Sequence, residues 1–206
     1  MSQPVPEPTV FIVDDDREVR EAIELLMDSV GLGSRSFESA QAYLDQFDPN
    51  LPGCLVMDVR MRGMSGLDLQ ERLAEAALRP PVIVVTGHGD VPMAVRAVKA
   101  GAVDFIEKPF HDQTLLDAVH RAFAQDAVNR GLASRLADIQ ERLTRLTPRE
   151  RDILDQVVAG KRNKVIAADL QISQSTVEAH RAKVMEKMEA RSLSELMRMM
   201  LAIPPG

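Results

Sequence analysis

Four short apolar runs in this chain each break off at polar residues. Val10-Phe11-Ile12-Val13 stops at Asp14, Asp15 and Asp16, Leu55-Val56-Met57 at Asp58, and Val82-Ile83-Val84-Val85 at Thr86. Asp104-Phe105-Ile106 is followed by Glu107-Lys108-Pro109. Continuous runs of this length mark strands buried on both faces. A weaker strand is predicted near Ser34 to Phe37. Between the strands the spacing turns helical. Val19, Ile23, Leu26 and Val30 form one stripe, Leu67, Leu69 and Leu73 lie in a second helix, and Val91 to Ala100 and Leu115 to Phe123 give two more. Strands alternating with helices predict an α/β domain, an open, doubly wound parallel sheet covered by helices on both faces.

After residue 124 the strand signals stop. Leu132, Leu136, Ile139, Leu143 and Leu146 are spaced as a two-heptad seam. That is too short to specify a free coiled coil and predicts a linker helix, 125–145, whose seam packs on a domain or on a second copy. Thr147, Pro148 and Glu150 then make the start of a new helix, with an N-cap, a proline at the first position and a capping box. Helices are predicted at about 148–159, 163–170, 174–188 and 192–201. The second and third of these, joined through Leu170-Gln171-Ile172-Ser173, form a helix-turn-helix candidate. Pro204-Pro205-Gly206 reads as a stop.

Composition narrows the class. The chain has 206 residues, 45% hydrophobic and 27% charged, which fits one or two globular domains. A single cysteine, Cys54, excludes an internal disulfide framework, and the absence of tryptophan argues against an aromatic-lined pocket. No leader-like or membrane-length apolar segment is present, so a soluble, cytoplasmic protein without a membrane partner is expected. The charge is unevenly shared. Residues 1–124 carry eleven Lys and Arg against twenty Asp and Glu, a balance of −9, whereas residues 125–206 carry fourteen against eleven, a balance of +3. An acidic front half suits a cation, and a basic tail suits a polyanion.

The chemistry lies at the strand ends. In parallel sheets, ligands sit beyond the carboxyl ends of the strands, where Asp14, Asp15, Asp58, Thr86 and Lys108 fall on four different strands. Carboxylates brought together repel one another, and a divalent cation relieves the repulsion. An oxygen-only ligand set selects Mg²⁺ or a similar hard ion and leaves room for a phosphate oxygen. With Lys108 as a second positive group and Thr86 as a hydroxyl donor, the set suits a phosphoryl group carried on a carboxylate. A phosphatase of the haloacid dehalogenase type shares an aspartate nucleophile, Mg²⁺ and a lysine. It requires Asp-x-Asp followed by Gly and Thr or Val, and here Arg17-Glu18-Val19 follows Asp16 instead.

In the 174–188 helix, successive residues turn by about 100°. Val177, Val184 and Met188 share one side, with His180 and Arg181 on its flanks. Ser175, Glu178, Ala179, Ala182, Lys183 and Glu186 lie on the other. Small residues with one lysine allow close approach to a groove, and Lys164, Arg181 and Lys187 are candidate phosphate contacts. Glu178 and Glu186 oppose DNA unless one accepts from a cytosine amino group. His180 reads as a packed flank residue rather than a base reader.

Two resemblances follow from these residues. Val13-Asp14-Asp15-Asp16, Asp58, Met64-Ser65-Gly66, Thr86-Gly87-His88-Gly89 and Lys108-Pro109-Phe110 resemble the receiver domain of two-component response regulators. The runs His88 to Val95 and Ala100 to Phe110 resemble its FixJ branch. Leu146-Thr147-Pro148-Arg149-Glu150-Arg151, Val158-Ala159-Gly160, Asn163-Lys164, Ile166-Ala167 and Ser175-Thr176-Val177-Glu178-Ala179-His180-Arg181 resemble the LuxR-type DNA-binding domain. The chain is thus identified as a FixJ/NarL-type response regulator. The resemblance implies a disordered segment 1–8, a (βα)₅ receiver at 9–124, the linker helix, and an all-α, four-helix, helix-turn-helix DNA-binding domain at 146–206.

The resemblance also implies roles. Asp58 accepts a phosphoryl group from a sensor histidine kinase. Asp15, Asp58 and the backbone carbonyl of Arg60 bind Mg²⁺, with Asp14 supporting. Lys108, preceding a cis peptide to Pro109, pairs with phosphoryl oxygens, and Thr86 and Phe105 switch. The DNA-binding set is Lys164, Ser175, Thr176, Glu178, Ala179, Arg181, Ala182, Lys183 and Lys187, with Glu178, Ala179, Ala182 and Lys183 facing bases of double-stranded DNA. Dimerisation on phosphorylation, transcriptional activation and contact with RNA polymerase are expected, with no enzyme activity beyond self-dephosphorylation as part of the switch. Two departures stand out: Arg62 replaces the family's usual proline, and Lys183 replaces an asparagine. The rival readings are a phosphate-independent DNA-binding regulator with a vestigial receiver and a phosphorelay shuttle.

Overall fold

A computed structural model describes residues 6–203 apart from 75, 77, 88 and 89. Part of the expected disordered segment (residues 1–5), His88 and Gly89 of the quoted motif, and the Pro204-Pro205-Gly206 tail lie outside the described residues. The chain divides into two compact units, residues 1–130 and 131–206.

The first unit is built on five parallel strands, β1 (Thr9–Val13), β2 (Gly33–Phe37), β3 (Gly53–Met57), β4 (Val82–Thr86) and β5 (Asp104–Glu107), in the order β2-β1-β3-β4-β5. All pairings are parallel. Each predicted run is a strand, extended by one or two residues. The apolar runs have two cores to fill, because successive side chains point to opposite faces. Phe11, Val13, Leu55, Met57, Val82 and Val84 face one core with Tyr43, Leu67, Leu69, Leu73 and Ala97. Val10, Ile12, Cys54, Val56, Ile83 and Val85 face the other with Ile23, Met27, Leu115, Val119 and Ala122. The helices between strands are α1 (Arg17–Ser29), α2 (Ala40–Leu44), α3 (Gly66–Leu73) and α4 (Val91–Lys99). Asp16, Ser39, Ser65 and Asp90 cap their N-termini by accepting a backbone N–H. In the stripe of α1 the buried positions are Ile23 and Met27, while Val30 is the exposed C-cap residue.

Two glycines are required by close approach. A Cβ at Gly53, where φ is +150°, falls 1.9 Å from the Thr9 carbonyl oxygen. A Cβ at Gly66 falls 2.1 Å from the carbonyl oxygen of Asp58, so only glycine lets α3 start against the loop that carries Asp58.

The structure departs from the sequence reading after β5. The helix over Leu115–Phe123 and the linker helix are one helix, α5 (Asp112–Thr144). No proline interrupts residues 112–144, and the lone Gly131 costs only about 1 kcal/mol against alanine. Its first half packs Leu115, Ala118, Val119 and Ala122 on the sheet. Near the end of the first unit, Asp126 is buried. It accepts from the Gly53 backbone N–H at 2.9 Å and from Arg130 Nε at 2.7 Å. Arg130 in turn donates to the Pro49 carbonyl at 2.9 Å and to the Leu51 carbonyl.

In the second unit, Ile139 of α5 is buried with Ile153, Leu154, Ile166, Val177, Val184, Met188 and Leu196, and Leu143 and Leu146 pack against that core. The lower part of the heptad seam is therefore ordinary packing, while Leu132 at its top is exposed. Four helices follow: α6 (Pro148–Val158), α7 (Asn163–Asp169), α8 (Gln174–Lys187) and α9 (Leu193–Ala202). The capping box is present. Glu150 N–H donates to Thr147 Oγ1 at 3.3 Å and Thr147 N–H to Glu150 Oε2 at 2.8 Å. Gln171, at φ 54°, makes the turn between α7 and α8, and Ser173 caps α8. No helix among the described residues is long and apolar enough to cross a membrane.

Candidate functional site

The parallel order brings Asp14, Asp15, Asp58, Thr86 and Lys108 to one end of the sheet, from β1, β3, β4 and β5. Oxygen atoms of Asp14, Asp15 and Asp58 lie within 4.8 Å of one another. Asp14 is buried and the other two are half-buried. Such a hard, all-oxygen donor set fits a divalent cation, and the cluster can bind a metal.

Each member is held by its neighbours. Lys108 Nζ donates to Asp14 Oδ2 at 2.7 Å, an ion pair across 94 residues of sequence. Asp14 Oδ1 accepts the Asp16 N–H at 2.9 Å, and the Asp14 carbonyl accepts from Arg20 at 2.7 Å. Asp58 Oδ1 accepts the N–H of Val59 at 2.7 Å, and the Asp58 N–H donates to the Val13 carbonyl at 2.9 Å. Thr86 is buried at the end of β4, and its carbonyl accepts the Lys108 N–H at 2.9 Å. The Lys108–Pro109 peptide is cis. Phe105 is paired with Val84 in the sheet and packs half-buried on the core that includes Leu67 and Ala97. Arg60 is exposed in the loop after β3. A Cβ at Gly87 would meet nothing within 4 Å, which leaves space beside Thr86.

Arg62, which stands out in the sequence as a departure, has a partner that the sequence does not show. Arg62 donates its backbone N–H to Asp15 Oδ2 at 3.3 Å, and its Nε lies 3.7 Å from the same oxygen. The charge pattern alone gives no sign of this pairing, since residues 15 and 62 meet only once β1 and β3 are adjacent.

Cys54 takes no part. It is fully buried, and burial, then the nearby Asp126 carboxylate, push its thiol well above the ordinary range. That leaves it neutral and inert.

In the second unit, Val177, Val184 and Met188 are buried, and His180 is half-buried with its Nδ1 out of contact with solvent. The opposite face of α8 exposes Ser175, Glu178, Ala179, Ala182, Lys183 and Glu186, and Lys164 is exposed on α7. Thr176 is half-buried in the cap, with its hydroxyl 2.7 Å from Ser173 Oγ. The flanks are internally engaged. Arg181 donates to Asn163 Oδ1 at 2.7 Å, and Asn163 donates to Glu178 Oε1 at 3.4 Å. Lys187 Nζ donates to the buried Glu150 Oε2 at 2.7 Å. That hydrogen bond, then the Thr147 backbone N–H, holds the Glu150 carboxyl down to about 2. The capping glutamate of α6 thus anchors the far end of α8. A capping box shows in the sequence, but its tertiary partner does not.

Comparison with known proteins agrees with this geometry. Residues 10–120 match the response regulator receiver domain family, and residues 144–200 match the luxR family of bacterial regulatory proteins. The chain is 49% identical to the transcriptional regulatory protein FixJ of Rhizobium meliloti over 195 residues, covering 94% of this chain and 95% of that one. It is 46% identical to nodulation protein W of Bradyrhizobium diazoefficiens over 190 residues, 92% of this chain and 84% of the relative. Among solved structures, the response regulator StyR superposes with a TM-score of 0.83 at 41% identity, covering 96% of this chain and 100% of StyR. Full-length FixJ from B. japonicum gives 0.56 at 42% identity, covering 96% and 97%. A receiver domain carrying an aspartate cluster, joined to a LuxR-type DNA-binding domain, places this chain among the FixJ-like two-component response regulators that regulate transcription.

Proposed function

We propose that Asp58 accepts a phosphoryl group from the phosphohistidine of a sensor kinase and that this controls DNA binding by α8. The observation that carries the reading is the convergence of three carboxylates with Lys108 at one end of the sheet. An Asp58 carboxylate oxygen attacks phosphorus, the P–N bond breaks, and its electron pair leaves on the donor imidazole. Asp15, Asp58 and the Arg60 carbonyl would hold Mg²⁺, with Asp14 supporting, and the ion when bound offsets charge on the phosphoryl oxygens. Lys108, held by Asp14 at rest, pairs with a phosphoryl oxygen. Thr86 turns toward the new anion and Phe105 follows, so that a local charge change biases a two-state element.

The phosphorylated protein then dimerises and sets two α8 helices against paired half-sites of promoter DNA, contacting RNA polymerase to activate transcription. Glu178, Ala179, Ala182 and Lys183 face base edges. Lys164 and the cap residues Ser175 and Thr176 reach the backbone, and Arg181 and Lys187 flank the helix. Receiver function is assigned to 9–124, the linker to 125–145 and DNA binding to 146–206.

Intact mass after incubation with Mg²⁺ and a small-molecule phosphodonor tests the first step. The expected result is one phosphoryl adduct on wild type and none on Asp58→Asn. An adduct on both moves the acceptor elsewhere. An adduct on neither points to a receiver disabled by its loop or reserved for its own kinase and brings the phosphate-independent reading to the front.

A further inference from the structure

Two of the three clustered carboxylates carry a cationic partner, and the two partners differ in how firmly they are held. Lys108 and Asp14 form a 2.7 Å pair that is 20% and 4% exposed. Arg62 and Asp15 stand 3.7 Å apart, with the arginine side chain 95% exposed and Asp15 28% exposed. A buried short pair resists exchange with ions from solution, whereas an exposed long pair is weak and readily replaced. Arg62 also holds the same Asp15 oxygen through its backbone N–H at 3.3 Å, so its side chain is tethered at the mouth of the cluster even when the guanidinium moves.

We propose that Arg62 is a displaceable counter-cation for Asp15, which competes with the divalent cation and sets its affinity. The inference rests on the reading of Asp14, Asp15 and Asp58 as a cation site. A divalent ion approaching Asp15 meets the guanidinium as a like charge on the same oxygen, and must displace it. Cation loading is therefore weaker than the three carboxylates alone would make it. Arg62 is a positioning residue here: it acts on the cation through Asp15.

The test is calorimetric titration of the full chain with MgCl₂, at low ionic strength and again at about 1 M salt, where charges more than roughly 3 Å apart are screened. Arg62→Ala and Arg62→Gln keep the backbone donor and remove the charge. Both are expected to bind Mg²⁺ about two- to fivefold more tightly than wild type at low salt, the range an exposed ion pair can supply. Arg62→Lys is expected to stay close to wild type, and the differences should collapse at high salt. Arg62→Ala binding no more tightly than wild type overturns the inference. Asp15→Asn distinguishes the role of Arg62 from the existence of the cation site. Mg²⁺ binding that Asp15→Asn abolishes, combined with an unchanged Arg62→Ala, removes only the role of Arg62. Wild type and Arg62→Ala that both take up no Mg²⁺ remove the cation site, and this inference with it.

Discussion

The acidic pocket and the exposed face of α8 are assembled on opposite plans. The pocket draws Asp14, Asp58, Thr86 and Lys108 from the ends of four strands, and its key ion pair spans 94 residues of chain. The α8 face comes from one run of fourteen residues, and helical periodicity alone puts its members together. A convergent site fails when any distant support fails. A local site survives as long as its helix is anchored, here by the Ser173 cap at one end and the Lys187–Glu150 pair at the other. Under the proposed function, a chemically demanding centre that needs the whole sheet controls a reading surface that needs only one well-fixed helix.

The largest effects should come from the supports of the convergent site. Gly66→Ala forces a Cβ into the Asp58 carbonyl, where neither side can yield without moving backbone. We expect a loss of about 3 kcal/mol in receiver stability, together with loss of phosphoryl uptake at Asp58. Denaturant unfolding and intact mass on the same preparation check this. A stable, phosphorylatable Gly66→Ala protein would show that the pocket tolerates displacement of its loop. Arg130→Ala leaves the buried Asp126 carboxylate with the Gly53 N–H but without its cationic partner and should cost a similar amount, about 3 kcal/mol. It lies far from the acidic cluster in sequence and touches none of its residues, so any loss of phosphoryl uptake should track unfolding alone.

A smaller effect should follow at the anchor of α8. Because the Glu150 carboxyl is held down to about 2, its contribution to stability is fully present above the ordinary carboxylate range near 4.3. That contribution is lost as pH falls from about 4.3 toward 2. Lys187→Met removes the first cause of the depression. The variant should be less stable than wild type by about 1 kcal/mol at pH 7, with the gap narrowing at pH 3. Denaturant unfolding followed by far-ultraviolet circular dichroism at the two pH values reads this. A gap that stays constant would show that the pair contributes packing rather than charge. Lys164→Ala should give the smallest change. Losing one phosphate contact lowers the salt slope of DNA binding by about 0.9 without altering sequence preference.

The two plans also differ in how they show in sequence. Strands buried on both faces need uninterrupted apolar runs, so β1, β3, β4 and β5 are visible, and their terminal polar residues identify the pocket. The short helix Ala40–Leu44 has too few residues for periodicity to appear. The unity of α5 was hidden because its apolar stripe changes partner along its length, from the sheet at Leu115–Ala122 to the second core at Ile139. Asp126 and Arg130, four apart on a helix, look like any exposed pair. Only the approach of the loop at 49–53 turns them into a buried clasp. Likewise the Arg62–Asp15 contact depends on strand adjacency that spacing cannot reveal. On α8 the split between buried Val177, Val184 and Met188 and the exposed face was legible from periodicity. Small residues carry no chemistry of their own, however, so the proposal that Ala179 and Ala182 face bases rests on resemblance.

The central claim is that chemistry at the acidic pocket governs the α8 surface. The most direct measurement is the affinity of one protein preparation, before and after phosphorylation, for a duplex selected by that protein from a randomised pool. Asp58→Asn is carried in parallel. The account predicts tighter binding and dimerisation of the phosphorylated wild type, with Asp58→Asn unchanged by the phosphodonor. Equal affinity before and after stoichiometric phosphorylation would contradict it.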